Sequence, residues 1–202
     1  MSQDGFFASI KRFFGSKQIA PLPESKAEAL YHQILQASRD VALYRDYGVE
    51  DSIDGRFDAL CLMQSVVMRR LSVKNENENT DLLAGLNQEL FDAMFADMDL
   101  TLREMGVGDM GVGKRVKFMS EAYMGRLSAY DNALKAYEAG KGLGQLEEAL
   151  HRNLFREGEI TGDPKALSEV IAVISAKLSG FDEAILLAGR LPDDTFAIGS
   201  QQ

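Results

Sequence analysis

The chain contains one cysteine, Cys61, so no disulfide can form within it. That fits a reducing compartment and removes covalent cross-links as a source of stability. Tryptophan is missing, and proline occurs only four times in 202 residues, which leaves long stretches free of helix-breaking rings. The two histidines, His32 and His151, lie far apart without ligand-spaced neighbours, so imidazole metal sites have nothing to build on. Cations are in the minority, 22 against 31 acids, for a formal net charge of −9. Phosphate binding needs clustered cations, so no nucleic acid is expected as a partner. No apolar run approaches the ~20 residues that span a bilayer. Met1 to Gly15 begins polar and acidic, lacks a continuous apolar run and places Lys11 and Arg12 late, unlike a secretory signal. A cytoplasmic location is the default expectation.

What is present is a hydrophobic fraction of 46%, enough for a folded core at this length. The apolar residues recur at helical spacing, with no alternating strand pattern. Phe6, Phe7, Ile10, Phe13 and Phe14 fall on one stripe with Lys11 and Arg12 beside it, ahead of a linker carrying Pro21 and Pro23. A long helix is predicted from Glu24 to Tyr47, stopped by Gly48, and another from Asp54 to Leu71. Lys74 to Thr80 has no apolar side chain and reads as an exposed loop. The next helix, to Met105, repeats Leu86, Leu90, Met94, Met98 and Leu102 every four residues. Leu83, Phe91, Phe95 and Met105 widen that stripe, and its breadth predicts a central helix buried on much of its surface. After the glycine-rich stretch from Gly106 to Gly113, helices are predicted over Val112–Tyr137, Leu143–Phe155, from the Asp163-Pro164 start signal to Leu178, and over Phe181–Gly189. The expectation is a single-domain, all-α bundle of six to eight helices. It comprises an amphipathic segment and linker at 1–23, a helical domain at 24–189 and a tail at 190–202.

Several motifs resemble chemistry. Gly106-Val-Gly-Asp-Met-Gly111 matches the dinucleotide pattern G-x-G-x-x-G, and Gly108 to Lys114 matches the start of a phosphate loop. Both need a preceding strand to aim backbone amides at phosphate. A helical pattern precedes them here, and Arg115 stands where the phosphate loop needs Ser or Thr. The expected role is a helix–helix connection. Asp92, Asp97, Asp99 and Glu104 share one helix but form no Glu-x-x-His pattern, the signature of helical di-metal sites. Cys61, between Leu60 and Leu62, reads as a buried thiol rather than a nucleophile. No catalytic, cofactor-binding or metal-ligating set emerges, so no enzyme is expected. Lys114 to Arg126 holds four bases and one acid, net +3. Its cations open a helix, where the macrodipole favours acids. They either pair with Asp97, Asp99 or Asp109 inside the fold or present a docking surface.

At Asp54-Gly-Arg-Phe57, at Leu90-Phe-Asp-Ala-Met-Phe-Ala-Asp-Met-Asp99, at Arg103-Glu-Met-Gly-Val-Gly-Asp-Met-Gly-Val112 and at Lys114-Arg-Val-Lys117, the chain resembles the ubiquinol–cytochrome c chaperone family. The resemblance covers about residues 30 to 140, is most specific at the helix–glycine loop–basic helix unit, and looks like a bacterial member. It implies an all-helical, non-enzymatic assembly chaperone without cofactors. Such a chaperone binds newly made cytochrome b and assists biogenesis of the ubiquinol–cytochrome c reductase. The small partner subunit of mitochondrial members stays unassigned. The charged residues of the matching helices, Asp54, Arg56, Asp97, Asp99, Lys114, Arg115 and Lys117, are the candidate client-binding set. The methionines there, Met94, Met98, Met105, Met110, Met119 and Met124, suit varied apolar partners. Phe6, Phe7, Ile10, Phe13 and Phe14, beside cations, are candidates for contact with an anionic membrane surface, at the inner face of the cytoplasmic membrane. The alternatives are a helical lipid- or quinone-binding protein and a peripheral membrane adaptor.

Overall fold

In the computed structural model the described residues are 25–72, 79–104, 106–155 and 162–199. The N-terminal stripe of Phe6, Phe7, Ile10, Phe13 and Phe14 lies outside them. Helix α1, Lys26–Ala37, starts on a reciprocal cap. Ser25 Oγ accepts from the Glu28 amide at 3.1 Å, and Glu28 Oε2 accepts from the Ser25 amide at 3.0 Å. The single helix expected over Glu24–Tyr47 is in fact two. The Ser38 hydroxyl donates to the Leu35 carbonyl where α1 ends, and Asp40 Oδ1 accepts from the Ala42 amide to open α2, Val41–Arg45. Short polar side chains that bond nearby backbone compete with helix continuation.

Helix α3, Ile53–Leu71, occupies the centre of the fold. Its residues 58–68 are buried without a break. The breadth of the apolar stripe pointed to the following helix, α4 at Thr80–Glu104, but α4 buries one stripe and leaves its other side in solvent. Polar residues disguise the burial of α3. Ser65 donates back to the Cys61 carbonyl, and the Gln64 amide reaches the Leu90 carbonyl at 3.4 Å. Arg70 donates to the Leu178 and Phe181 carbonyls at 3.0 and 3.1 Å. Each finds at least one internal acceptor, which is what lets it sit in a core, although Gln64 Oε1 and one Arg70 terminal nitrogen stay without a partner among the described residues. Gly55 of the Asp54-Gly-Arg-Phe57 segment has a steric reason: a Cβ there would stand 2.0 Å from the Glu50 carbonyl oxygen.

Helix α5, Asp109–Glu138, packs on α3 and α4. The predicted Leu143–Phe155 helix is α6, Gly144–Leu150, continued by a π-helical turn over His151–Phe155. Helix α7, Pro164–Ser179, begins as predicted, with Asp163 Oδ1 accepting from the Ala166 amide at 2.9 Å. Arg70 caps its far end, where a cation meets orphan carbonyls and the negative dipole end. Helix α8 covers Glu183–Leu187. The described part of the 190–202 segment is laid against the body. Leu191, Thr195 and Ile198 are buried, Gln33 accepts from the Leu191 amide, and the Tyr47 hydroxyl donates to the Ile198 carbonyl. Among the described residues the fold is all-α with no strand.

Candidate functional site

Helices α4 and α5 form a hairpin. Phe91 and Phe95 of α4 pack round Tyr123 of α5, with ring centroids 5.8 Å apart in each pair. The connection is the glycine-rich segment. Gly106, at φ +74°, donates to the Arg103 carbonyl while Val107 donates to the Leu102 carbonyl. This Schellman closure ends α4, and Gly108 is the N-cap of α5, which starts at Asp109, three residues ahead of the predicted start at Val112. The glycines therefore join helix to helix, with no strand feeding the loop. Between Arg103 and Gly125, only Val112 and Tyr123 are buried among the described side chains. The far end of the hairpin is an arm.

The seven charged candidates fall in three places. Asp54 is exposed in the first turn of α3. Arg56 pairs with Asp51 at 2.6 Å and lies 5.9 Å from the centre of the Tyr44 ring. Burial pushes the Tyr44 hydroxyl up to about 12. Asp97 sits between α4 and α1, accepting from the buried Tyr31 hydroxyl at 2.7 Å. Burial raises the Asp97 carboxyl above its ordinary value, and the Tyr31 hydrogen bond, His32 and Arg39 oppose that rise. The rest are on the arm. Arg103 clamps both Asp99 and Asp109 at 2.5 Å across the connection. Asp97, Asp99 and Asp109 are therefore engaged away from the basic cluster. Arg115 is half-buried, whereas Lys114 and Lys117 are exposed, and the Lys117 ammonium is 3.9 Å from Glu121.

Two features escaped the sequence reading. Arg126 of α5 pairs at 2.7 Å with Asp58 of α3, whose side chain is 0% exposed. The same guanidinium lies 5.7 Å from the centre of the Phe57 ring. This pair pins the middle of α5 to the body. The second feature is apolar: Phe118 is 72% exposed and Met124 51%. The signal for both was present. With Val112, Tyr123 and Tyr130 facing inward, a 3.6-residue period puts Phe118 and Met124 on the opposite side and Arg126 on the flank. Among the described residues no helix is long and apolar enough to cross a membrane, and no cluster of His, Cys, Asp or Glu could hold a metal ion.

These features define, among the described residues, an all-helical protein whose α4–α5 hairpin ends in an exposed arm. The family model for the ubiquinol-cytochrome C chaperone matches residues 45–191. The crystal structure of the Cbp3 homolog from Brucella abortus superposes with a TM-score of 0.69 and 31% sequence identity, over 83% of this chain and 88% of that one. No curated protein matches the sequence. The chain belongs to the ubiquinol–cytochrome c chaperone family. Membership makes it a chaperone for assembly of the reductase, a non-enzymatic role that requires a client protein.

Proposed function

We propose that the protein binds cytochrome b and assists its delivery into the ubiquinol–cytochrome c reductase. The observation that carries this reading is the family match over residues 45–191, which spans α3 to α8 and with them the whole α4–α5 hairpin. Lys114, Arg115 and Lys117 lead the charged set on the arm, with Asp99 at its tip and Asp54 and Arg56 at the start of α3. Asp97, turned toward α1, supports the arm from within. The test is a native pull-down from cells that make the reductase. Cytochrome b should be enriched with the wild-type protein. Reversing Lys114, Arg115 and Lys117 to Glu should weaken capture while the helical circular dichroism is unchanged. If wild-type protein fails to enrich cytochrome b, the reading is wrong. Recovery of a lipid or quinone instead would favour a small-molecule carrier.

The N-terminal stripe completes the proposal. Phe6, Phe7, Ile10, Phe13 and Phe14 beside Lys11 and Arg12 suit the interface of an anionic bilayer, where aromatic bodies insert and cations meet headgroups. That would hold the chaperone at the inner face of the cytoplasmic membrane, near a membrane-bound client. Weak, reversible flotation with anionic liposomes should vanish when residues 1 to 15 are removed, with the melting temperature unchanged. A lowered melting temperature, with no flotation of the full chain, would assign the stripe to the core.

A further inference from the structure

The solvent face of the first half of α5 carries Lys114, Lys117, Phe118, Glu121, Met124 and Gly125, all exposed. A phenylalanine left 72% exposed forgoes most of the burial its ring could gain. Met124, six residues on and 51% exposed, stands about 120° round the helix, at the other edge of that face. Gly125 has no steric duty in the fold, since a Cβ built on it meets nothing within 4 Å. A mid-helix glycine is nonetheless less stable than alanine. A second helix laid along α5 would use all three: Phe118 and Met124 as apolar contacts, and Gly125 as the place where backbones approach closely.

Charge decides what kind of surface fits. Around the arm, Arg103, Lys114, Arg115, Lys117 and Arg126 stand against Asp97, Asp99, Glu104, Asp109 and Glu121, five cations against five acids. A surface with no net charge is not drawn to an anionic bilayer as a whole. On the docking face itself, however, Lys114 forms no ion pair among the described residues, and Lys117 reaches Glu121 only at 3.9 Å. The face therefore offers two cations, nearly one helical turn apart, between Phe118 on one edge and Met124 on the other, with Glu121 as its one acid. We propose that this face of α5 is a helix-docking site that takes an apolar helical segment bearing a carboxylate, a membrane-protein helix held before it enters the bilayer. The identity of that segment as part of the client rests on the function proposed above; the site itself does not.

The experiment uses the full-length chain and two labelled Leu/Ala-rich helical peptides of about 18 residues, roughly five turns. One carries two glutamates a turn apart, the other two lysines at the same positions. Fluorescence anisotropy should show saturable binding of the Glu peptide and at least about tenfold weaker binding of the Lys peptide. Phe118→Ala, and Lys114→Glu with Lys117→Glu, should each weaken the Glu peptide by about tenfold or more. Gly125→Ala should weaken it too while raising the melting temperature, a combination that unfolding cannot produce. Equal affinity for both peptides, or no effect of Phe118→Ala, would overturn the site. So would flotation of the wild type on equal-part phosphatidylcholine–phosphatidylglycerol vesicles that is lost in Phe118→Ala, which would make it a membrane contact. A dimer seen by sedimentation and lost in Phe118→Ala would likewise replace the docked helix with a second copy of the chain. Cytochrome b pull-downs separate the two readings. Peptide binding without cytochrome b capture leaves the site standing and sinks the proposed function, whereas capture that ignores these variants sinks the site and leaves the function.

Discussion

Helices α3 and α5 are both long and mixed in polarity, yet they are used in opposite ways. Along α3, residues 58–68 are buried on every side, and even Asp58, Gln64 and Ser65 are enclosed. Along the first half of α5 the described side chains bury only Val112 and Tyr123, while Phe118 and Met124 stay in solvent. In α3 the Ser65 hydroxyl, the Gln64 amide nitrogen and the Arg70 guanidinium are turned to acceptors inside the fold. In the front of α5 the apolar atoms of Phe118 and Met124 are left in solvent, the feature on which the proposed docking face rests. The Asp58–Arg126 pair is where the two regimes meet.

Cutting that junction should have the largest effect. Arg126→Ala removes the ion-pair cation from the enclosed Asp58 carboxylate, and breaking a buried pair of this kind costs about 3–5 kcal/mol. Chemical denaturation should show the loss, and a double-mutant cycle with Asp58→Ala should recover much of it. A loss below about 1 kcal/mol would mean that the junction behaves like a surface pair.

Asp97 tests whether the back of α4 belongs to the body. Tyr31→Phe removes the donor to a largely buried carboxylate and should cost about 1–3 kcal/mol. The pH dependence has a definite sign. Because burial raises the Asp97 carboxyl, the folded state holds that proton more tightly than the unfolded chain does. The ionised group therefore subtracts stability above its folded value, and the subtraction fades as pH falls through that value toward the ordinary carboxylate range. Asp97→Asn, which keeps an acceptor for Tyr31, should stabilise the protein near neutral pH and lose that advantage in acid. Unfolding curves across that range decide it, and an advantage that grows on acidification would contradict the raised value.

Smaller effects sharpen the contrast from each side. Gly125→Ala on the arm should gain about 1 kcal/mol, because the position is exposed, helical and sterically open. A loss there would show that the body needs the glycine. In the interior, the Tyr130 hydroxyl is fully buried with no hydrogen-bond partner among the described residues. Tyr130→Phe should be neutral or stabilising by up to about 1 kcal/mol in thermal unfolding. A clear destabilisation would point to a bound water serving that hydroxyl.

The all-α class, the Asp163-Pro164 start of α7 and the helix–loop–helix nature of the glycine segment were legible because each depends on residues close together in sequence. The break between α1 and α2 was legible in principle, through Ser38 and Asp40, but is overlooked when a long apolar period is followed across it. The arm at the start of α5 was half legible. Lys114 and Lys117 stood out by charge, and Met124 as one of six methionines suited to apolar partners, whereas nothing in the sequence singled out Phe118.

The sequence by itself determined the helical spacing, the caps and the surplus of cations at the start of α5, since these follow from neighbours a few residues apart. Which long helix became the centre was settled by the packing of the folded chain. Burial on all sides depends on which helices surround it, and Gln64, Ser65 and Arg70 find their acceptors at Leu90, Cys61 and Leu178 only once the chain has folded. That packing likewise decided that Asp97 would face Tyr31 and that Phe118 would face water. An apolar residue is core or surface according to what packs against its side of the helix, and a 3.6-residue period records which residues share a side but not which side is covered.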